Sequence, residues 1–210
     1  TGTAPRSWFT DTTMAWVNGI ALDASGNVYI SGVAILVLIN QDDARLRDRV
    51  TQYRIYKYAP GLRADGQVDI NVLPAGAWHR DTTFVAEEGS GIGSIVDARG
   101  LAWRGALAQG LYVADYGKNW AQKMYDTGIN PGEFKIDGTS TGQAFIGPTD
   151  VAADNLGFVY VLDTGNLRAL RFGPTLGDEE SFQQRIDIEG SPLTGPVAIP
   201  ADDSLVYVAD

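Results

Sequence analysis

The feature that most constrains this chain is a pattern repeated four times along it, a short apolar strand followed by a turn and by a strand that carries a tyrosine. The four tyrosines are Tyr29, Tyr112, Tyr160 and Tyr207, so the successive gaps are 83, 48 and 47 residues. A period near 47 is typical of architectures in which one small sheet is repeated around an axis. The gap of 83 is one such period with about 36 residues inserted.

The copies continue alike after the tyrosine strand, and this predicts how many strands each unit holds. In the third copy a turn precedes two further predicted strands, Leu167–Phe172 and Gln184–Ile188. The second copy continues with Ala121–Tyr125 and Glu133–Ile136, and the first has Tyr53–Tyr58 as its third strand. Four strands a unit, together with 25 glycines and short apolar runs, predict an all-β protein, a β-propeller of four-stranded antiparallel blades.

About three and a half blades fit into the 210 residues. The predicted units are an N-terminal segment 1–14, a first blade 15–96 with a long hairpin and a second insertion, a second blade 97–148, a third blade 149–192, and the first half of a fourth blade 193–210. Because each blade is stabilised by packing on its neighbours, three and a half blades would leave an open arc. We therefore expect either part of a larger ring or a ring completed by another chain.

One stretch of the third copy carries a family resemblance. Residues 157–168 read Gly-Phe-Val-Tyr-Val-Leu-Asp-Thr-Gly-Asn-Leu-Arg, which closely resembles the NHL repeat; residues 18–30 and 99–119 resemble it less closely. The first copy departs from the pattern with Ser31-Gly32 in place of the aspartate, and the second has one residue more in its loop. The resemblance implies a propeller, usually of six blades, in a family of binding modules, sensor domains and a few enzymes, so it implies no single activity.

The composition excludes several classes of function. The net charge is −10, of which −9 lies in residues 106–210, and an acidic surface argues against a nucleic acid partner. With no cysteine and one histidine, the chain cannot build disulfides, thiolate metal sites or a multi-histidine site, and we expect no cofactor. The longest apolar run, Val33–Ile39, is too short for membrane insertion. These features, and a first residue that is not methionine, suit an exported or extracellular protein.

Three polar residues are the candidate metal ligands. Asp115 and Asp163, like Asp210, end the second strand of their copies, and equivalent positions form a ring on one face of a propeller that could hold a cation. The alternative is that each carboxylate caps the N–H groups of its own loop, and we expect this outcome. Asn18 begins an Asn-Gly step like that of the gluconolactonase-like propellers, a resemblance that implies an asparagine sharing a metal with two carboxylates.

Three other features receive weaker functional interpretations. His79 stands beside Asp81 and could act as a general base, although a packing role is the default. The glycine-rich residues 87–94 lack the following helix and lysine of a phosphate loop, so we interpret them as a flexible connector into the second blade. Trp120 follows a turn and is a candidate anchor for a partner, with core packing as its alternative.

The first-copy insertion predicts a long hairpin arm. Residues 33–39 are apolar on both faces of a strand, a charged run at 41–49 forms the predicted tip, and a strand from Val50 to Tyr58 returns. A two-stranded arm in water could not keep both faces dry. We therefore expect a partner to cover the arm, or the second insertion, 72–92, to pack over it internally. The residues assigned to partner binding are Ile35, Leu36, Val37, Leu38 and Ile39, together with Trp120.

These observations favour a non-enzymatic interaction or structural module that assembles with other chains or with further blades. The expected partner is protein, through self-association or through the remaining propeller blades. The alternative function is a metal-dependent hydrolase or lyase of the gluconolactonase-like type. An enzyme requires convergent carboxylates, asparagine or histidine at the central tunnel, whereas a binding module requires an exposed aromatic or apolar patch.

Overall fold

The chain is all-β, as predicted. The computed structural model describes residues 7–40, 47–60, 78–105, 109–154, 156–173, 182–187, 197–198 and 207–208. Within these ranges the helical structure consists of three 3₁₀ turns of three residues each, Tyr116–Lys118, Thr139–Thr141 and Thr164–Asn166. In this part of the chain no helix is long and apolar enough to cross a membrane.

Within the described residues, the strands form three blades and the inner pair of a fourth. Blade 1 contains β1 (Ser7–Leu22), β2 (Val28–Asn40), β3 (Arg47–Pro60) and β4 (Trp78–Glu87); blade 2 contains β5 (Ala98–Arg104), β6 (Gly110–Asp115), β7 (Trp120–Met124) and, after the short β8 (Gly128–Ile129), β9 (Gly132–Ile136); blade 3 contains β10 (Pro148–Ala153), β11 (Val159–Asp163), β12 (Arg168–Phe172) and β13 (Phe182–Asp187); and blade 4 contains β14 (Val197–Ala198) and β15 (Tyr207–Val208). Neighbouring strands within each blade are antiparallel and consecutive in the chain, apart from the excursion at β8.

The repeat seen in the sequence is a repeat of strand register. In every blade the tyrosine of the second strand lies opposite an alanine of the innermost strand. The pairs are Ala21 with Tyr29, Ala102 with Tyr112, Ala152 with Tyr160, and Ala198 with Tyr207. A small residue beside a large ring lets the sheet present the ring to the next blade, so the pairing explains why both residue types recur.

The predicted hairpin is present, and it has a third strand. Strands β2 and β3 pair without a break from Val28 opposite Tyr58 to Ile39 opposite Arg47, while most of the charged tip lies outside the described residues. Strand β1 begins at Ser7 and pairs with β2 as far as Asn40, so the predicted boundary after residue 14 falls inside a strand. β6 and β11 end three residues after their tyrosines, whereas β2 continues to Asn40. Blade 1 therefore extends beyond the other blades as a three-stranded arm, residues 7–16, 33–40 and 47–53.

Aromatic contacts join blade 1 to blade 2. The ring of Tyr29 lies parallel to that of Trp103 with centroids 5.3 Å apart, and the ring of Phe84 meets Tyr29 edge-on at the same distance. Tyr29 and Phe84 are fully buried, in a cluster that also holds residues of β3, β5 and β6. A second cluster, which includes Tyr112, Val151 and Phe172, joins blade 2 to blade 3. Burial of each such side chain contributes roughly 1.5–3 kcal/mol, so these interfaces rather than single sheets hold the arc together.

The excursion between β7 and β9 was not predicted. Strand β8 pairs in parallel with β4, which makes it a fifth strand of blade 1 contributed by blade 2. Asn130, in the left-handed conformation at φ 50°, accepts a hydrogen bond from the Glu87 N–H through its side-chain Oδ1 (2.7 Å) and donates its own N–H to the Val85 carbonyl (2.8 Å). The excursion thereby fixes blade 2 to the outer edge of blade 1.

Candidate functional site

A β-bulge recurs at one position of the innermost strand in blades 1, 2 and 3. The strand register shifts between Val17 and Gly19, between Ala98 and Gly100, and between Pro148 and Asp150. The extra residues are Asn18, Arg99 and Thr149, each three residues before the alanine that pairs with the tyrosine. Bulges redirect side chains and are frequent beside functional sites. This repeated bulge brings three polar residues of different type to one place.

The bulged residues line a groove of about 910 Å³ where the three innermost strands meet. One wall of the groove comes from the base of the arm and contains Trp16, Val17, Val33 and Tyr53. The remaining lining residues come from the innermost strands and the turn before β5, and they are Asn18, Gly19, Ile20, Asp97, Arg99, Gly100, Leu101, Thr149, Asp150 and Val151. The groove thus combines an apolar wall with one guanidinium and two carboxylates.

Glycines allow the innermost strands to approach closely. A Cβ on Gly100 would lie 2.5 Å from the Cα of Asp150, and a Cβ on Gly19 would lie 2.9 Å from the Ser31 hydroxyl and would collide with the Arg99 carbonyl. Both positions therefore exclude a side chain. Blade 3 has Asp150 at the same repeat position, and its side chain fills the space that Gly100 leaves.

Arg99 is held in place by two contacts. Its Nε and Nη2 both donate to Oδ2 of Asp97, at 3.1 and 3.0 Å, and its guanidinium carbon lies 3.6 Å from the centroid of the Tyr116 ring. Asp97 is positioned in turn by its backbone N–H, which donates to Asp115. The guanidinium is consequently a fixed positive charge at the groove, paired with one carboxylate.

Asn18 lies in the groove, but the residues beside it are not a metal-binding set. Its Nδ2 donates weakly to the Ala98 carbonyl at 3.4 Å. The equivalent positions in blades 2 and 3 carry Arg99 and Thr149 rather than carboxylates. A guanidinium repels a cation, and within the described ranges no three acidic or histidine side chains are grouped so that they could hold a metal ion.

Asp115 and Asp163 lie away from the groove, and the expectation that they cap their own loops needs correction. The Asp115 carboxylate accepts from the N–H groups of Val96 and Asp97, both at 3.0 Å. That of Asp163 accepts from the Ile146 N–H at 2.8 Å, and from the Arg168 and Asn166 side chains. Val96 and Ile146 belong to the loops that lead into β5 and β10, so each aspartate joins the end of a second strand to the loop before the first strand of the same blade.

A cation completes each of these junctions. Arg168, fully buried, donates to Oδ2 of Asp163 at 2.7 Å and to the carbonyl of Gln143 at 2.6 Å in the incoming loop. In blade 2 the loop residue Lys118 replaces it, donating to the carbonyls of Gly91 and Ser94 at 2.8 and 2.6 Å. We name each aspartate–cation–loop junction a clasp. In the sequence, Arg168 was visible only as part of the repeat motif, and Lys118 only as a member of the longer loop of the second copy.

Burial shifts the pKa values of both charged groups in the blade 2 clasp. Desolvation raises the pKa of Asp115 against the opposing effect of its backbone hydrogen bonds, and it lowers the pKa of Lys118 against the attraction of Asp115.

Lys118 and the buried Gln122 also hold the glycine-rich residues 87–94, since Gln122 bonds the Gly93 N–H and the Ser94 carbonyl, both at 2.8 Å. The segment is therefore a bonded connector rather than the flexible one expected from its glycines.

The remaining predicted residues are placed as follows. Trp120 is partly buried, and the ammonium groups of Lys118 and Lys135 lie 4.7 and 5.0 Å from its ring centroid. Leu36 is buried in a cluster with Ala34, Tyr56 and Val85, so for this residue the alternative of internal packing describes the structure. Ile35 is half-buried. The side chains of Val37, Leu38, Ile39 and His79, and residue Asp210, lie outside what the structure describes.

Repeated four-stranded antiparallel blades, with their innermost strands around one groove, define the class: this chain is an arc of a β-propeller. No family model matches the chain, and no curated protein matches it.

Solved structures of propeller proteins do resemble it. Luciferin-regenerating enzyme shares 17% identity at a TM-score of 0.50, over 87% of this chain and 49% of its own. A 6-phosphogluconolactonase-like protein of Bacteroides fragilis shares 14% identity at a TM-score of 0.47, over 92% and 63%. Virginiamycin B lyase of Staphylococcus aureus shares 10% at 0.44, over 92% and 64%. This chain spans about half the length of the first and less than two thirds of the others.

Proposed function

We propose that this chain is a non-enzymatic interaction module, an arc of NHL-type blades that takes further propeller blades on its open face. Those blades are supplied by another protein chain, or they are the remaining blades of the same propeller. The proposal rests on one observation, the solvent exposure of the apolar side chains of β1 that lie on the side of blade 1 away from blade 2.

Ile20 and Leu22 are each 59% exposed on the innermost strand of blade 1. The residue equivalent to Ile20 is Leu101 in blade 2, at 7% exposed, and Val151 in blade 3, at 2%. The residue equivalent to Leu22 in blade 2 is Trp103, which stacks on Tyr29 of the preceding blade. These positions are covered in blades 2 and 3, where the chain supplies a neighbouring blade, and they are uncovered on β1. This difference supports the proposal that a further blade packs there.

The absence of cysteine makes this proposal testable by labelling. Leu22→Cys and, as a matched control, Leu156→Cys are reacted with a maleimide in the native assembly; Leu156 is 57% exposed in the hairpin turn of blade 3. We expect Leu156→Cys to react at least tenfold faster, because a blade covers residue 22. Equal rates in the native state, with both variants reacting fast in urea, would refute the proposal.

The alternative function, a metal-dependent hydrolase or lyase, would use Asn18, which lines the same groove as Asp97 and Asp150. Titration with Ca²⁺, Mg²⁺, Mn²⁺ and Zn²⁺, followed by calorimetry and thermal unfolding, distinguishes it. On the proposed function no ion binds tightly, and Asn18→Ala behaves as the parent does. A micromolar site that Asn18→Ala abolishes would favour the enzyme.

A further inference from the structure

The ion pair between Asp97 and Arg99 uses only part of its hydrogen-bonding capacity. Arg99 donates from Nε and Nη2, and both bonds end on Oδ2 of Asp97, at 3.1 and 3.0 Å. Among the described residues, Nη1 of Arg99 and Oδ1 of Asp97 have no hydrogen-bond partner. Both residues line the groove, and the Arg99 side chain is 42% exposed. The pair therefore offers a ligand one cationic donor and one anionic acceptor.

Asn18 and Asp150 add acceptors to the groove. The Asn18 Nδ2 donates weakly to the Ala98 carbonyl at 3.4 Å, and in the part of the chain that the structure describes its Oδ1 accepts no hydrogen bond. Asp150 is a second carboxylate among the lining residues, so one guanidinium and two carboxylates give the lining a net charge of −1. A ligand that meets these acceptors needs a positively charged donor such as an ammonium group.

The groove also has an apolar wall and the volume of a small-molecule site. The wall contains Trp16, Val17, Val33 and Tyr53, and the groove measures about 910 Å³. Sites for small ligands typically measure about 300–1,000 Å³ and combine an apolar lining with a few polar groups that fix the ligand's orientation. A ligand that fits this groove therefore has an apolar body in addition to its charged groups.

The ion pair is held in position before any ligand binds. The Arg99 guanidinium carbon lies 3.6 Å from the centroid of the Tyr116 ring, and the Asp97 N–H donates to the Asp115 carboxylate of the blade 2 clasp at 3.0 Å. A donor and an acceptor that are already fixed lose little further freedom when a ligand binds, so more of the interaction energy remains as affinity.

We propose that the groove binds a free apolar α-amino acid, with its ammonium group on Asp97, its carboxylate on Arg99 and its side chain along the apolar wall. Such a zwitterion brings an opposite charge to each partner of the ion pair. A metal ion brings only positive charge, which the Arg99 guanidinium opposes. The inference goes beyond the proposed function, because every residue it uses belongs to blades 1 to 3 and no further blade takes part.

Three probes that share a phenyl body test the inference by isothermal titration calorimetry on the full chain. L-Phenylalanine carries both charges, 2-phenylethylamine carries only the ammonium group, and 3-phenylpropionate carries only the carboxylate. We expect L-phenylalanine to bind at least about tenfold more tightly than either single-charge probe, because each charge-assisted hydrogen bond contributes about that factor. No binding of L-phenylalanine at millimolar concentration, or a single-charge probe that binds as tightly, overturns the inference.

The variant Arg99→Gln separates ligand binding from a structural role of this residue. We expect it to weaken L-phenylalanine binding at least about tenfold and to leave 2-phenylethylamine binding unchanged, because only the carboxylate loses its partner. The control is Arg171→Gln, which lies outside the groove on the Phe158 ring and should leave both affinities unchanged. Equal losses for both probes in Arg99→Gln, or no loss for either, overturn the inference. If no probe binds while Leu22→Cys is protected from maleimide, the inference fails and the proposed function stands.

Discussion

The clasp of blade 3 allows a quantitative prediction. Arg168 and Asp163 are both fully buried, and Arg168 also bonds the Thr141 hydroxyl and the Gln143 carbonyl of the incoming loop. The substitution Arg168→Met retains much of the side-chain volume but leaves a buried carboxylate with only the Ile146 N–H and the Asn166 amide. Removing one partner of a buried ion pair costs about 3–5 kcal/mol. We therefore expect Arg168→Met to lower the free energy of unfolding by that amount.

Urea denaturation followed by far-UV circular dichroism measures the effect. Arg171→Met is the matched control, because Arg171 lies on the same strand but stacks on the Phe158 ring at 3.5 Å and forms no ion pair with Asp163. Its loss is expected to cost about 1 kcal/mol or less. In the double variant Asp163→Asn/Arg168→Met the two losses should not add, with a coupling of about 2 kcal/mol. An Arg168→Met cost below about 1 kcal/mol, or additive losses, would refute the view that the clasp joins the loop to the blade.

Three further predictions concern single residues. The Thr139 hydroxyl and N–H and the Lys135 ammonium lower the pKa of Asp137 to about 2. The stability that the ionised Asp137 contributes is therefore complete above about pH 4 and is lost as the pH falls toward 2. In acid titrations of the unfolding midpoint, Asp137→Asn should flatten the stability profile in this range by about 1 kcal/mol. Gly157 has φ +94°, and a Cβ there would lie 2.7 Å from the Arg104 guanidinium carbon. Gly157→Ala should therefore lower the free energy of unfolding, measured by urea denaturation, by about 2 kcal/mol. The control Gly142→Ala, at φ +83° with open space around it, should lower it by about 1 kcal/mol. Lys118→Met should speed amide exchange of residues 89–95 at least tenfold and leave residues 159–163 unchanged; uniform acceleration would instead indicate global destabilisation.

Local patterns were sufficient to predict most of the strands. Apolar residues at period two around the tyrosines, bounded by glycine and aspartate turns, predicted the strands of blades 2 and 3 to within a few residues, because alternation records which face of a strand is buried. The same rule predicted the β2–β3 hairpin and the apolar faces of its first strand. It missed the arm's third strand, because β1 begins in a segment with mixed polar and apolar residues whose pairing partner lies more than 20 residues away.

The clasps and the groove required the tertiary structure. The type and position of Asp115 and Asp163 were visible, but the backbone N–H groups of Val96, Asp97 and Ile146 that bond to them lie 17 to 19 residues earlier in the chain. A rule based on local turns could not find these partners. The bulge that aligns Asn18, Arg99 and Thr149 has no signature in residue spacing, since it arises from the pairing of two strands.

The sequence by itself determined the strand order within a blade, because one blade is a local unit whose strands follow one another along the chain and are joined by short turns. What only the tertiary structure decided is which face of each blade is covered. Ile20 and Leu101 occupy the same repeat position with similar side chains, yet one is 59% exposed and the other 7%. That difference depends on whether a second blade lies alongside, and contact between blades is set by three-dimensional packing rather than by the residues of either strand.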